Sequence, residues 1–498
     1  SIRSVKVLFV SPEVSPLART GGLGDVVGAL PPALKEAGVD VRVICPLHRG
    51  SLDGLKSKRI AGKLRIRIGS QLCSPRLVET RLPGTDVPVY LIEHKGFFDR
   101  SDIYAGLKGD FPDNAERSFV LCRSALDLPR LVGWTPEVYH SHDWMAAALP
   151  ACLNATPSIK GQARVAASVL TIHNLEHQGS FSPEKFAISN LPQSYFQMEG
   201  FEHFGRLNLL KGGIQHADKI TTVSPTYAEE IRTEIHGHGL DPSLVYRAAD
   251  LVGILNGMDE EAWNPSKDST LPHPFSFETV ETGKKACRKA LSKELNLPYK
   301  PSLPLFGAVS RLYWQKGLDT LAESLPGLLE KNDFQFVLLG SGDPLQEKAF
   351  SDLAHRFPDK VSAYIGFDDG LARRIFAATD FFLMPSRFEP CGLAQQYAMQ
   401  YGSLPIANST GGLVDTIKDL KKNQQTANGL LLKNIKEASL NPAFKNACKI
   451  FADEKKLKLM RKNAMTREAS WKEPAESYAD VYKWALEKTS RPCKAFCG

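Results

Sequence analysis

The chain has 498 residues, which is long enough for two domains of roughly 200–250 residues each. Its 43% hydrophobic and 23% charged content is that of an ordinary globular protein. A net charge of +7, spread without a long Lys/Arg block, argues against a nucleic-acid partner, and no apolar run approaches the roughly 20 residues that span a bilayer.

No signal peptide is expected, because Ser1 leads almost at once into the first strand, a start that a processed precursor would also give. Nine cysteines are scattered along the chain without a framework, apart from a loose "CKAFC" (493–497), which points to a reducing compartment and mostly buried thiols.

In chain order, "VKVLFV" (5–10), "VRVIC" (41–45), "VPVYLI" (87–92), "VYH" (138–140), "ASVLTIH" (167–173) and "KITTVS" (219–224) read as short buried strands. Helical stretches lie between them, such as "AERSFVLCRSALDLPRLV" (115–132), so the first half reads as a parallel sheet of βαβ units. "NPSKDSTLPHPFSF" (264–277) has the composition of a connector, and a basic helix follows, "GKKACRKALSKELN" (283–296). A second series then runs through "PLFGAVS" (304–310), "FQFVLLG" (334–340), "VSAYIGF" (361–367), "DFFLMPS" (380–386) and "LPIANS" (404–409), and "SYADVYKWALEKT" (477–489) closes it as a helix.

One glycine turn occurs twice: Thr20-Gly21-Gly22-Leu23-x-Asp25 and Thr410-Gly411-Gly412-Leu413-x-Asp415. Each is expected where a strand hands over to a helix, the edge at which open α/β sheets bind ligands. Glycines let backbone approach a ligand closely, and the helix N-terminus that follows favours an anion.

Four further stretches could carry chemistry. In "YHSHDW", His140, His142 and Asp143 end a strand; a substrate contact is favoured over a metal cluster or a plain helix cap at Asp143. In "TIHNLEHQG", His173 and Asn174 end another strand, and His173 suits a hydrogen-bond donor to substrate. In "SRLYWQKGLD", Arg311 and Lys316 can hold a diphosphate, though a solvated turn would look the same. In "SRFEPCGLAQQYAM", Glu389 precedes a Pro-Cys-Gly turn whose N–H groups could bind hydroxyls or phosphate; Cys391 has no paired base and suits close packing.

With these residues in view, the chain resembles bacterial glycogen synthases and plant-type starch synthases. The likeness runs nearly end to end, through "RTGGLGDVVGALPPAL", "HSHDW", "TIHNLEHQG", "KITTVSPTYAEEI", "GILNGMD", "SRLYWQKGLD" and "PSRFEPCGLAQQYAMQYGSLPIANSTGGLVDTI". It implies a GT-B fold, two facing doubly wound Rossmann-like domains with the active site in the cleft between them. The corresponding spans are 1–263 (acceptor side), 264–475 (nucleotide-sugar side) and a helix and tail, 476–498, packing back on the first domain. The implied reaction moves glucose from ADP-glucose, releasing ADP, to the non-reducing end of an α-1,4-glucan (starch, glycogen or maltooligosaccharide) with retention of configuration. The sequence shows no DxD-type metal site, so no metal and no cofactor are expected.

Carried over residue by residue, the resemblance places Asp143 and His173 at the transferred glucose and Asn256 at one of its hydroxyls. Arg311 and Lys316 clamp the diphosphate, and Glu389 takes the 3- and 4-hydroxyls. Phe367 falls where many relatives stack a Tyr on adenine. Gly22 approaches the diphosphate, and Thr410, Gly411 and Gly412 lie near the nucleotide. Gly21, Asp25, Asn174, Cys391, Gly392 and Leu393 lie in the same motifs and join the substrate-binding set. Two departures stand out. Arg19 replaces the usual Lys before the first glycine turn, and position 397 is Tyr, so the E-x7-E pattern of other retaining GT-B enzymes is absent, as is general in these synthases.

A non-catalytic glucan-binding protein and a UDP-glucose-using GT-B enzyme are the competing readings; retention of His173, Arg311, Lys316 and Glu389 argues against the first. "STGGLVDTI" and "GALPPAL" lean towards granule-bound starch synthases, and "PSLVYRAADLVGILNGMDEEAWNP" towards bacterial relatives. The implied location is the plastid stroma, including the starch granule, for a plant or algal source, and the cytoplasm for a bacterial one.

Overall fold

A computed structural model describes residues 4–155 and 166–489. Cys493 and Cys497 lie outside the described residues. The chain divides into two compact units. One takes in the described residues through Gly257 and again from Trp471; the other is Met258–Ser470.

The first unit is built on a nine-stranded sheet: β1 (Lys6–Val10), β2 (Asp40–Pro46), β3 (Lys58–Arg59), β4 (Arg76–Arg81), β5 (Pro88–Glu93), β6 (Val138–His142), β7 (Ala167–Ile172), β8 (Lys219–Thr222) and β9 (Leu251–Gly253). The spatial order is β9-β8-β7-β6-β1-β2-β5-β4-β3. All neighbours are parallel except β4, which is antiparallel to both β5 and β3. That antiparallel edge escapes the sequence reading because "RLVETR" alternates with polar residues and lacks a continuous apolar run.

The period of two along β1 divides the core. Leu8 and Val10 join a cluster with Phe119, Leu121 and Met145 on one face of the sheet. Val7 and Phe9 join a cluster on the other face with Val27 and Leu30 of the helix Gly22–Glu36 and with Tyr478, Val481, Tyr482 and Ala485 of the helix Lys472–Thr489. That last helix belongs to the first unit although it is the end of the chain.

The second unit is a six-stranded, all-parallel sheet of β10 (Leu305–Leu312), β11 (Gln335–Gly342), β12 (Val361–Ile365), β13 (Phe381–Met384), β14 (Leu404–Asn408) and β15 (Leu430–Leu432). Its order is β12-β11-β10-β13-β14-β15. β10 again serves two cores: Phe306 and Ala308 pack with Phe334, Phe381 and Phe444, and Leu305 packs with Leu291, Ile375 and Phe382. Both units are therefore doubly wound, with helices on both faces of a parallel sheet.

One expectation changes. The 264–277 stretch is packed into the second unit: Tyr401 Oη donates to Asp268 Oδ2 (2.5 Å), Phe275 is buried, and Trp263 just before it stacks on Tyr397 at 3.7 Å. Its Pro/Ser/Asp content reflects Asx turns at Asn264 and Asp268. The chain passes between units at Gly257–Met258 and Ser470–Trp471. The basic helix, Val280–Glu294, is also less solvated than its charges suggest. Lys284 Nζ is buried and donates to the carbonyls of Phe376, Ala377 and Tyr401, the open ends of two other helices. Among the described residues no helix is long and apolar enough to cross a membrane.

Candidate functional site

In the first unit the sequence-selected residues gather at the C-terminal ends of β1, β6 and β7. Asp143 follows β6 directly and has a left-handed backbone (φ 57°). It is not the cap of the short helix it begins, which is His142. Its Oδ1 instead accepts from the backbone N–H of His173, 2.7 Å away and one residue past the end of β7. Burial raises the Asp143 carboxyl to about 7, against the backbone hydrogen bonds from His173 and Asn174.

The His173 ring is hydrogen-bonded through Nε2 to Nδ1 of His142 (2.9 Å). Burial lowers His173 to about 3, so it is a neutral imidazole at physiological pH. His140 is spoken for by hydroxyls: Nδ1 meets Tyr482 Oη (2.7 Å) and Nε2 meets Thr171 Oγ1 (2.6 Å). The HxHD histidines thus form a hydrogen-bonded layer behind Asp143 and His173. Among the described residues no group of three or more His, Cys, Asp and Glu could hold a metal ion. Asn174 forms an Asx turn with Glu176 N (3.0 Å). Asn256 Oδ1 is buried with no partner among the described residues, as suits an acceptor kept for a ligand hydroxyl.

The first glycine turn departs from the expected strand-to-helix junction. Residues 11–21 separate β1 from the helix that starts at Gly22. The loop is folded by Glu13, which sequence reasoning missed. The buried Glu13 Oε1 accepts from Thr20 N (2.6 Å) and Gly21 N (3.1 Å), and Oε2 from Tyr104 Oη (2.5 Å). The backbone N–H groups of Thr20 and Gly21 are therefore already satisfied. A Cβ at Gly21 or Gly22 would meet nothing within 4 Å. Arg19 is 56% exposed and holds Asp25 in a fork, with Nε–Oδ1 at 2.7 Å and Nη2–Oδ2 at 3.0 Å. Burial raises the Asp25 carboxyl, and Arg19 only partly opposes that.

In the second unit Arg311 lies near the end of β10 with an exposed side chain, and Lys316 ends the turn Trp314–Lys316 just beyond it. Gly317 has φ 69°, and a Cβ there would lie 1.9 Å from the Pro385 carbonyl. This close approach seats the turn on the 385–389 loop, where Arg387 N donates to Gln315 O (2.8 Å) and Gln315 Nε2 to Phe388 O (3.1 Å). Lys316 Nζ consequently reaches both carboxylate oxygens of Glu389, at 3.0 and 2.9 Å. Ser386 Oγ donates to Glu389 Oε2 (2.9 Å), and Glu389 is only 6% exposed.

The second glycine turn is close-packed where the first is open. Gly411 (φ 48°) would place a Cβ 1.9 Å from Glu389 O, and Gly412 would place one 2.1 Å from Cys391 O. Gly412 N donates to the carbonyls of Glu389 and Pro390 (3.1 Å each). These glycines lock the Glu389 loop in place. The helix they begin, Gly411–Thr416, is about a turn and a half long. Thr410 and Cys391 are buried beside it, Gly392 takes φ 77°, and Leu393 leads into the helix Ala394–Gln400. Phe367, just past β12, is 80% exposed, an aromatic face open to a planar ring.

The family model for the starch synthase catalytic domain matches residues 6–246, and that for glycosyl transferases group 1 matches residues 291–467. Glycogen synthase 1 of Geobacter metallireducens is 39% identical, over 98% of this chain and 97% of that protein. Glycogen synthase of Thermotoga maritima is 40% identical, over 98% of this chain and 100% of that protein. Among solved structures, the catalytic domain of starch synthase IV from Arabidopsis thaliana, bound to ADP and acarbose, matches with a TM-score of 0.86 and 31% identity over 97% of this chain and 100% of that one. Sucrose-phosphate synthase from Thermosynechococcus elongatus shares the fold at 19% identity and a TM-score of 0.56, over 98% of this chain and 100% of that one.

Proposed function

Because this chain belongs to the glycogen and starch synthase family of GT-B glucosyltransferases that elongate α-glucans, we propose that its donor is ADP-glucose and that it adds glucose, with retention, to the non-reducing 4-OH of an α-1,4-glucan. The observation that carries this reading is the Lys316–Glu389 pair, in which a phosphate-type cation and a sugar-type carboxylate share one position. The solved relative bound to ADP and acarbose supports a nucleotide diphosphate and a glucan oligosaccharide as ligands.

In the proposed step the bond from the glucose anomeric carbon to the ADP oxygen breaks. The acceptor O4 attacks from the same face, and its proton passes to the departing phosphate. Arg311, Lys316 and Arg19 neutralise the developing diphosphate charge, and each preorganised donor of this kind contributes on the order of 3–4 kcal/mol. Glu389 accepts from the glucose 3- and 4-hydroxyls, His173 and Asn256 hold other hydroxyls, and Phe367 stacks on the adenine. The cations are side chains, so the step needs no metal.

The experiment is incubation with ADP-glucose and a maltooligosaccharide, with and without a chelator. Lengthened α-1,4 chains and stoichiometric ADP, unchanged by the chelator, are expected. Faster turnover with UDP-glucose would overturn the donor assignment, and binding of glucan without transfer would favour the non-catalytic reading. Product chain lengths on amylopectin and on glycogen would separate a starch from a glycogen synthase.

A further inference from the structure

His142 is fully buried, and the reaction as proposed gives it nothing to do. Its Nδ1 lies 2.9 Å from His173 Nε2, and its Nε2 has no hydrogen-bond partner among the described residues. Aromatic rings flank the imidazole. The Phe9 ring lies 4.8 Å from the imidazole, and the His140 ring stacks on it at 4.2 Å.

The pair of rings has two ways to share its protons. If His142 carried its proton on Nε2, it would bury an N–H with no acceptor, an arrangement that folded proteins rarely keep. With the proton on Nδ1, His142 donates to His173 Nε2 and leaves only a lone pair unmatched. His173 Nε2 is then an acceptor, so the one proton of its neutral ring must sit on Nδ1. Burial holds both rings neutral.

We propose that His142 is a positioning residue that fixes the tautomer and orientation of His173, presenting His173 Nδ1–H as a hydrogen-bond donor to the transferred sugar. This deepens, and rests on, the reading that His173 faces the glucose. Consecutive residues would then hold His173 from two directions: His142 fixes the ring, and Asp143 fixes the backbone N–H at 2.7 Å. Tyr482 supports the layer from the C-terminal helix through His140.

Nitrogen-15 NMR of histidine-labelled full-length protein reads the tautomer directly, with His173→Gln used to assign the signal. The Nδ1–H form of His173 is expected in the unsubstituted protein, and the Nε2–H form would overturn the proposal without any activity measurement. Kinetics then use two substitutions of one shape. His142→Leu removes the donor and should lower kcat by about tenfold to a hundredfold with KM for ADP-glucose little changed. His142→Asn places an amide N–H where Nδ1 was and should restore most of that loss. Equal losses in both variants would reduce His142 to a packing role and overturn the proposal. An Nδ1–H signal together with full activity in His173→Gln would instead overturn the underlying placement of His173 at the sugar.

Discussion

Lys316 and Glu389, seventy-three positions apart in the chain, hold each other through two contacts of 3.0 and 2.9 Å at the edge of the second sheet. Removing one partner leaves the other poorly compensated. Lys316→Met strips Glu389 of its cation and leaves it the Ser386 hydroxyl, so the protein should lose about 1–3 kcal/mol of stability. The double variant Lys316→Met/Glu389→Gln should regain most of that stability and none of the activity. Denaturant melts and initial rates check this, and an active double variant would remove both residues from the proposed reaction.

Glu389→Ala separates sugar from nucleotide. The side chain faces Lys316 and Ser386, and its loss frees the Lys316 ammonium. ADP should therefore bind at least as tightly as to the parent, while kcat falls by about a hundredfold or more. Calorimetry with ADP decides. A folded variant that no longer binds ADP would place Glu389 at the nucleotide.

Asp143 gives a pH dependence with a definite sign. Burial raises its carboxyl to about 7 in the fold, above the unfolded value near 3.8. The folded state then binds the proton more tightly than the unfolded one, so this group's contribution to stability is complete below about 4 and is lost as pH rises towards 7. Asp143→Asn, which also suits the left-handed backbone, should stabilise the protein relative to the parent at pH 8 and change little at pH 4. The carboxylate receives the His173 N–H, so activity of the parent should rise with a midpoint near 7, a limb absent in the Asn variant. Melting temperatures and kcat/KM profiles across pH 5–9 would show both effects, and an identical limb in Asp143→Asn would assign it to another group.

Much of this was legible in the sequence, and the exceptions share a cause. The strands could be read because both faces of each parallel sheet are buried and leave continuous Val/Ile/Leu/Phe runs, and His173 and Glu389 became candidates because they stand where such runs end. Glu13 could not: its partners are backbone N–H groups of Thr20 and Gly21, and no residue pattern marks a carboxylate that folds a loop onto itself. The buried role of Lys284 within the basic helix left no sequence signal, because the three carbonyls it serves lie about a hundred residues away. Tyr482 reaches His140 across 342 positions, a pairing that only the topology creates.

Arg19 tests whether charge alone is required before the first glycine turn. Its guanidinium is exposed and forked to Asp25, so truncation should cost under about 1 kcal/mol of stability. If it also neutralises the leaving diphosphate, Arg19→Lys keeps substantial activity. Arg19→Ala should then lose about 3 kcal/mol of transition-state stabilisation, roughly a hundredfold in rate. Steady-state kinetics at saturating glucan measure this, and an Ala variant within about twofold of the parent would confine Arg19 to the Asp25 pair.

The two glycine turns share a sequence and differ in what requires the glycines. At Gly411 and Gly412 a methyl group would run into the Glu389 and Cys391 carbonyls at 1.9 and 2.1 Å, and Gly411 also needs φ 48°. At Gly21 and Gly22 the same methyl would enter open space, and Gly22 is the first residue of a helix, where Ala is favourable. Gly412→Ala should therefore destabilise the protein by about 1–3 kcal/mol through overpacking and displace Glu389 with it, lowering activity and melting temperature together. Gly22→Ala should leave the melting temperature unchanged or slightly higher. It should still weaken the use of ADP-glucose, because its added methyl occupies space that the fold leaves free and the proposed donor needs. Thermal melts and kcat/KM for the donor give the pair of readouts. A Gly22→Ala enzyme with unaltered kinetics would leave the first turn a helix start and nothing more.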